Sequence, residues 1–153
     1  MDASILNYTV NDNVGEFLSK DKKLYINGDW VDPSSGKSFD VEDPATGKKI
    51  ATCSAGNSKD IDAAVKAARL AFDSGAWTDV PNNEKGKIIW KIGDLIDKHA
   101  EELAQLESLD NGKPVAVAGA ADVPLSSDIF RYMAGWATKI EGNTIPVSYT
   151  HLR

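Results

Sequence analysis

Leu109-Asp110-Asn111-Gly112-Lys113-Pro114 and Phe130-Arg131-Tyr132-Met133-Ala134-Gly135-Trp136-Ala137-Thr138-Lys139-Ile140-Glu141-Gly142 are the two stretches on which the fold turns. The first reads as a helix stop, because Gly tolerates the left-handed conformation that closes a helix and Pro cannot continue one. The second reads as an amphipathic helix. It occupies much of Asp122 to Ile140, with Ile129, Met133, Trp136 and Ile140 on one face and Gly142 closing it. Pro124 fits such a helix only near its first turn.

Upstream of the stop, Ile88, Ile92, Leu95, Ile96, His99, Leu103 and Leu106 recur on one face of a long helix that bends or breaks near His99-Ala100. Before it stands a shorter helix with Ile61, Ala64, Val65, Ala68 and Phe72 as its apolar stripe. Asn57 or Ser58 can cap this helix, Asp60 and Asp62 suit its dipole, and Ser74-Gly75 stops it.

Ser38-Phe39-Asp40-Val41-Glu42-Asp43 alternates apolar and polar, Pro44-Ala45-Thr46-Gly47 turns, and Lys48 to Ser54 returns, which predicts an antiparallel hairpin. Leu24-Tyr25-Ile26-Asn27-Gly28-Asp29-Trp30-Val31 suggests two short strands, or a strand and turn, around Asn-Gly. Residues 1–22 are weakly patterned and read as an arm, with Val14, Phe17 and Leu18 able to form a short helical turn.

The 153 residues suffice for one domain with a core. The excess of 23 acidic over 17 basic residues, with no basic cluster, argues against nucleic acid as a partner. No run of 18 apolar residues is present, which argues against a membrane span, and Met1 to Tyr8 lacks the pattern of a secretory signal. One cysteine, Cys53, allows no internal disulfide and points to the cytoplasm.

The chemistry-bearing residues favour structural roles. Cys53 lies on a strand with no evident cationic neighbour and reads as a small buried hydrophobe. His99 and His151 share no metal-ligand spacing, and His99 on its apolar face reads as a core or interface histidine. Asp94, Asp97, Glu101 and Glu102 interleave with Lys91 and Lys98 as a solvated face with local ion pairs. No phosphate-binding glycine loop occurs.

Taken in order, the Leu24–Val31 stretch, the Asp43-Pro44-Ala45-Thr46-Gly47 turn, the Ala63–Phe72 helix with the Trp77 loop, the Leu109–Pro114 stop and the Arg131–Ala137 helix resemble the front third of an NAD(P)-dependent aldehyde dehydrogenase. The resemblance covers about residues 20–146. It implies an α/β fold: an antiparallel β-hairpin plus three or four helices from the outer part of a Rossmann-like nucleotide-binding domain, without its central parallel sheet. The implied divisions are an N-terminal arm at 1–22, a partial nucleotide-binding domain at 23–142, and the start of an oligomerisation arm, truncated or divergent, at 143–153.

Members of that family oxidise an aldehyde to a carboxylic acid by covalent catalysis with an oxyanion hole. Within it the chain most resembles the group acting on small aliphatic, aromatic and betaine-type aldehydes. The catalytic cysteine, the glutamate and the cofactor turn have no counterpart here, and Cys53 does not inherit the nucleophile's role. The resemblance therefore implies an inactive N-terminal piece with no catalytic, cofactor-binding or metal residues of its own. NAD or NADP belongs to the full-length family and is expected to bind this chain only weakly. Some members hold a monovalent cation at positions matching Val41, Glu42 and Asp110, although Asp110 also serves simply to turn the chain before Gly112. The complete enzyme is expected to be a homo-oligomer acting on a small aldehyde. A noncatalytic module docking on a full-length homologue is the alternative, and helices parted from their sheet predict exposed apolar surface and poor autonomous stability.

Overall fold

The computed structural model describes residues 9–142. The expectations for residues 143–153, including His151, lie outside that range. Each element arises from a local signal. Asn11 caps α1 (Asp12–Ser19), its side chain accepting from the Val14 N–H at 2.9 Å. Two hairpins follow. β1 (Leu24–Ile26) and β2 (Asp29–Val31) pair antiparallel around Asn27-Gly28, and both turn residues have positive φ, as a type I′ turn demands. The expected strand pair is therefore a true hairpin, giving two hairpins among the described residues.

β3 (Ser38–Asp43) pairs with β4 (Lys48–Ser54), with a register shift between Val41 and Glu42. Asp43 is buried and fully used: its carboxylate accepts from the Ala45 N–H at 2.9 Å and the Thr46 hydroxyl at 2.7 Å. That arrangement is an Asx turn, and it shapes the loop that Pro44 and Gly47 permit. Ahead of β1 the chain also runs parallel to β4: the Lys22 N–H donates to Thr52 O, and the Ser54 N–H to Lys22 O, each at 2.8 Å.

α2 (Ser58–Asp73) opens with a capping box between Asn57 and Asp60. α3 (Asn82–Lys98) and α4 (Ala100–Asn111) are separated by His99 alone, which has left the helical conformation at φ −107°, ψ 21°. Gly112 ends α4 at φ 80°. The final helix begins earlier and ends earlier than its sequence pattern suggests. α5 (Val115–Val117) leads into a π-helical turn (Ala118–Asp122) and then α6 (Val123–Ala134), with Gly135 as C-cap. Pro124 lies in the first turn of α6, where its missing N–H is least felt, directly after the wider π turn. Ile140 and Gly142 fall beyond the helix, so the expected four-residue apolar face over Ile129–Ile140 is interrupted at Gly135.

The core has two parts. In the first, Val14 and Leu18 of α1 meet Ile50 and Ala51 of β4 and Leu109 of α4. In the second, Ala104 of α4 packs against Ala118 of the π turn and Val123 of α6. α3 and α6 pack together through glycines: a β-carbon on Gly86 would lie 3.1 Å from Ala134 O, and one on Gly93 would lie 3.0 Å from Ser127 O. Outside these contacts Ile61, Val65 and Phe72 of α2 and residues Ile129, Met133 and Trp136 remain exposed.

Candidate functional site

The bulge at Val41/Glu42 and the close of α4 bring two of the three candidate cation positions to one wall. Val41 and Asp110 both line a cavity of about 370 Å³ between α1, β4 and α4. Glu42 does not line it; its register partner across the hairpin is Lys49. Lys49 in turn forms an ion pair with Asp40 at 2.6 Å. Among the described residues no three His, Cys, Asp or Glu side chains gather as a metal set.

Cys53 lines the same cavity, half-buried, opposite Phe39 in the β3–β4 register. The sequence showed no cationic neighbour, yet Lys22 bridges to Cys53 across the parallel pairing. A partner 31 positions away is invisible to local pattern. Desolvation is the main cause that pushes the Lys22 ammonium below the ordinary lysine value, while Cys53 and Asp21 oppose the shift. Its Nζ donates to the carbonyls of Phe17 and Lys20 and lies 4.3 Å from the Phe17 ring centroid. Lys22 thus fastens the end of α1 to the sheet.

His99 is exposed and not a core residue, because the helix break carries it out of the apolar face. Its Nδ1 lies 3.3 Å from Glu102 Oε2. Glu102 also accepts from Asn13 Nδ2 at 2.7 Å, and Gln105 Oε1 accepts from the Asn11 N–H at 2.9 Å. The Asn13 hydrogen bond is the main cause that holds the Glu102 carboxyl below the usual range. These bonds dock α1 on α4.

The acidic face of α3 is not paired locally as expected. Asp94 and Asp97 both bind the Arg131 guanidinium of α6, at 2.9 and 2.5 Å. Lys91 and Lys98 have no part in those contacts. The Ser127 hydroxyl and Arg131 together lower the Asp97 carboxyl below its ordinary range. This cluster is an interhelical tie between α3 and α6, with the Trp90 ring 5.8 Å from the guanidinium carbon.

Acidic first turns set four of the described helix N-termini against phosphate. A helix N-terminus receives phosphate when its amides are free and its field is positive. Here α1 to α4 each carry an acidic residue in the first turn: Asp12, Asp60, Glu84, and Glu101 with Glu102. α2 further fills its own amides through Asn57 and Asp60. A cavity of about 420 Å³ between α3 and the end of α6 is lined by Gly86, Trp90, Ala134 and Gly135, and Lys87 is its one cation.

A model of the aldehyde dehydrogenase family matches residues 30–153. The mitochondrial aldehyde dehydrogenase family 2 member B4 of Arabidopsis thaliana is 49% identical over 124 residues, 81% of this chain and 23% of that protein. The solved NAD+ complex of aldehyde dehydrogenase from Bacillus cereus superposes with a TM-score of 0.86 at 46% identity, over 94% of this chain and 29% of that one. Betaine aldehyde dehydrogenase from Staphylococcus aureus, also solved with NAD+, gives 0.80 at 36% identity over 88% of this chain and 27% of its own. The chain therefore spans less than a third of the length of the relatives it matches.

Proposed function

Because the chain belongs to the aldehyde dehydrogenase family, we propose that it supplies the N-terminal portion of an enzyme oxidising an aldehyde to a carboxylic acid with NAD(P). The observation that carries this reading is the preserved architecture: 94% of the chain superposes on the NAD+ complex of Bacillus cereus aldehyde dehydrogenase with a TM-score of 0.86 at 46% identity. Its role there is scaffold. α1, β4 and α4 form one packed unit, and the Arg131 tie with the glycine-mediated contact joins α3 to α6.

No chemical step is assigned to this chain's own residues. Cys53 occupies a strand, and α2 fills its own N-terminal amides through Asn57 and Asp60. The isolated chain is accordingly inactive, and NAD(P) binds only when the rest of the enzyme is present. We place the enzyme in the cytoplasm as a homo-oligomer acting on small aldehydes.

The test is a single polypeptide in which residues 1–142 replace the matching portion of the Bacillus cereus enzyme. NAD-dependent oxidation of a panel of aliphatic, aromatic and betaine-type aldehydes is expected from the chimera and none from the isolated chain. A folded but inactive chimera overturns the scaffold reading. Turnover by the isolated chain that survives Cys53→Ala overturns the claim of inactivity.

A further inference from the structure

Asparagine stands directly before glycine twice in the chain, at Asn27-Gly28 and at Asn111-Gly112, and both pairs are exposed. Such a pair carries its own chemistry. With no β-carbon in the way, the glycine amide nitrogen can attack the carboxamide carbon of the residue before it. The two sites share that reagent and differ in how the fold holds it.

Asn111 closes α4 and is tied at each group the reaction needs. Its Nδ2 donates to Glu107 Oε1 at 2.6 Å, its Oδ1 accepts from the Lys113 N–H at 2.8 Å, and the Gly112 N–H donates to Ser108 O at 3.0 Å. A β-carbon on Gly112 would stand 3.1 Å from Pro44 Cγ, and Leu109, two residues back, belongs to the core. Freeing this pair means unwinding the end of a packed helix.

Asn27 stands at φ 55° in the two-residue turn between β1 and β2, and a β-carbon on Gly28 would meet nothing within 4 Å. In the left-handed conformation the next amide nitrogen points away from the side chain, so the closed turn is itself unreactive. Reaction waits on opening, and little resists it. The hairpin is held by three register pairs, by Tyr25 stacked on Trp30 with ring centroids 4.9 Å apart, and by a Lys23–Asp32 ion pair at 2.9 Å. Tyr25 and Trp30 are both exposed. A two-stranded hairpin is marginal in water, and a surface ion pair adds little.

We propose that Asn27 is a site of spontaneous deamidation, gated by opening of the β1–β2 hairpin, with water as the reagent. The Gly28 nitrogen gives its proton to solvent and bonds to Asn27 Cγ. The Cγ–Nδ2 bond breaks, ammonia leaves with a proton from solvent, and a succinimide ring closes. Water then opens the ring. Attack at Cγ breaks its new bond to the Gly28 nitrogen and leaves an aspartate at position 27. Attack at the main-chain carbonyl carbon breaks the original peptide bond and leaves Gly28 linked through the side chain. No oxidant or cofactor enters. Either product adds a negative charge to a turn that has Asp29 and Asp32 beside it. The second also inserts a carbon into the main chain, which a two-residue turn cannot absorb without losing the Ile26–Asp29 pairing.

The experiment ages the full 153-residue chain at mildly alkaline pH, in native buffer and in urea. Peptide mapping by mass spectrometry follows both sites, and chromatography separates the two acid products. In native buffer, conversion at Asn27 is expected to run at least tenfold faster than at Asn111. In urea, where both pairs are unfolded, the two rates are expected to converge. Trp30→Ala, which removes the stacked ring, should speed conversion at Asn27 severalfold and leave Asn111 unchanged. Because Trp30 is exposed, circular dichroism of that variant should keep the helical signal of the parent chain. Equal rates at the two sites in native buffer, or faster conversion at Asn111, overturn the proposal. A native difference that persists unchanged in urea, or a rate at Asn27 indifferent to Trp30→Ala, shows that the hairpin does not gate the reaction and overturns it as well.

Discussion

Gly93 and Ser127 set the distance between α3 and α6: a β-carbon on Gly93 would stand 3.0 Å from the Ser127 carbonyl oxygen and 3.1 Å from Arg131 Cγ. Seven residues earlier on α3, Gly86 repeats the relation with Ala134, seven residues later on α6. The two helices therefore run antiparallel with backbones in near contact at both points.

Replacing Gly93 tests that contact. Alanine ordinarily gains about 1 kcal/mol over glycine inside a helix. Here the facing atom is a backbone carbonyl, so Gly93→Ala is expected to lose that gain and destabilise. Gly93→Val should cost about 1–3 kcal/mol by overpacking. Urea unfolding followed by circular dichroism measures both, and a stabilised Gly93→Ala would show that the helices stand further apart.

Leu109 is 2% exposed among Val14, Leu18, Ile50 and Ala51. Leu109→Ala should cost about 2–5 kcal/mol, the transfer and cavity terms combined. Phe72→Ala, on the uncovered stripe, should change the stability of the free chain by less than about 0.5 kcal/mol. Equal losses for the two would mean that α2 is packed in solution.

The Arg131 tie has a pH signature. Ser127 and Arg131 hold the Asp97 carboxyl below its ordinary value of 3.8. A carboxyl depressed by folding contributes stability above its unfolded value and loses it as pH falls through the folded one. Stability should therefore decline on acidification below about pH 4. Arg131→Met should lower the thermal midpoint at neutral pH and flatten that acid limb. An acid limb unchanged by Arg131→Met would assign it to other carboxylates, such as Asp60, which the Asn57 and Ser34 amides hold low.

Asn57 accepts from the Lys59 N–H at 2.8 Å, and Asp60 returns to the Asn57 N–H at 2.9 Å. With so little else holding α2, Asn57→Ala should cost about 1 kcal/mol of helix stability. Hydrogen exchange should show the loss confined to Ser58–Asp73. Protection lost evenly across the chain would mean that α2 unfolds together with the core.

These outcomes also mark what the sequence could disclose. The Asn27-Gly28 turn, the Asp43–Gly47 turn, the Asn57 cap, the break at His99 and the Gly112 stop were legible because each is decided within a few residues. The partners of Asp94 and Asp97 were not, since Arg131 lies 37 and 34 positions away. Gly86 and Gly93 were silent for the same reason: a close approach exists only once two helices have met. The π turn at Ala118–Asp122 has no periodicity of its own, so the helical run that begins at Val115 was legible only from Asp122 onward. For the candidate cation set, the meeting of Val41 and Asp110 follows from the packing of α4 on β3. The register shift between Val41 and Glu42 is a feature that local alternation cannot reveal.

The short parallel pairing at Lys22 has a practical consequence for anyone trimming this chain. Lys22 occupies backbone groups of Thr52 and Ser54 that would otherwise form an open strand edge. A version beginning at Lys23 would present that edge, with the half-buried Cys53 thiol on it, to other molecules, while removing Val14 and Leu18 from above Ile50. Unpaired edges template intermolecular β-pairing. The segment from α1 to Lys22 therefore guards against aggregation, and on its removal solubility should fail before secondary structure does.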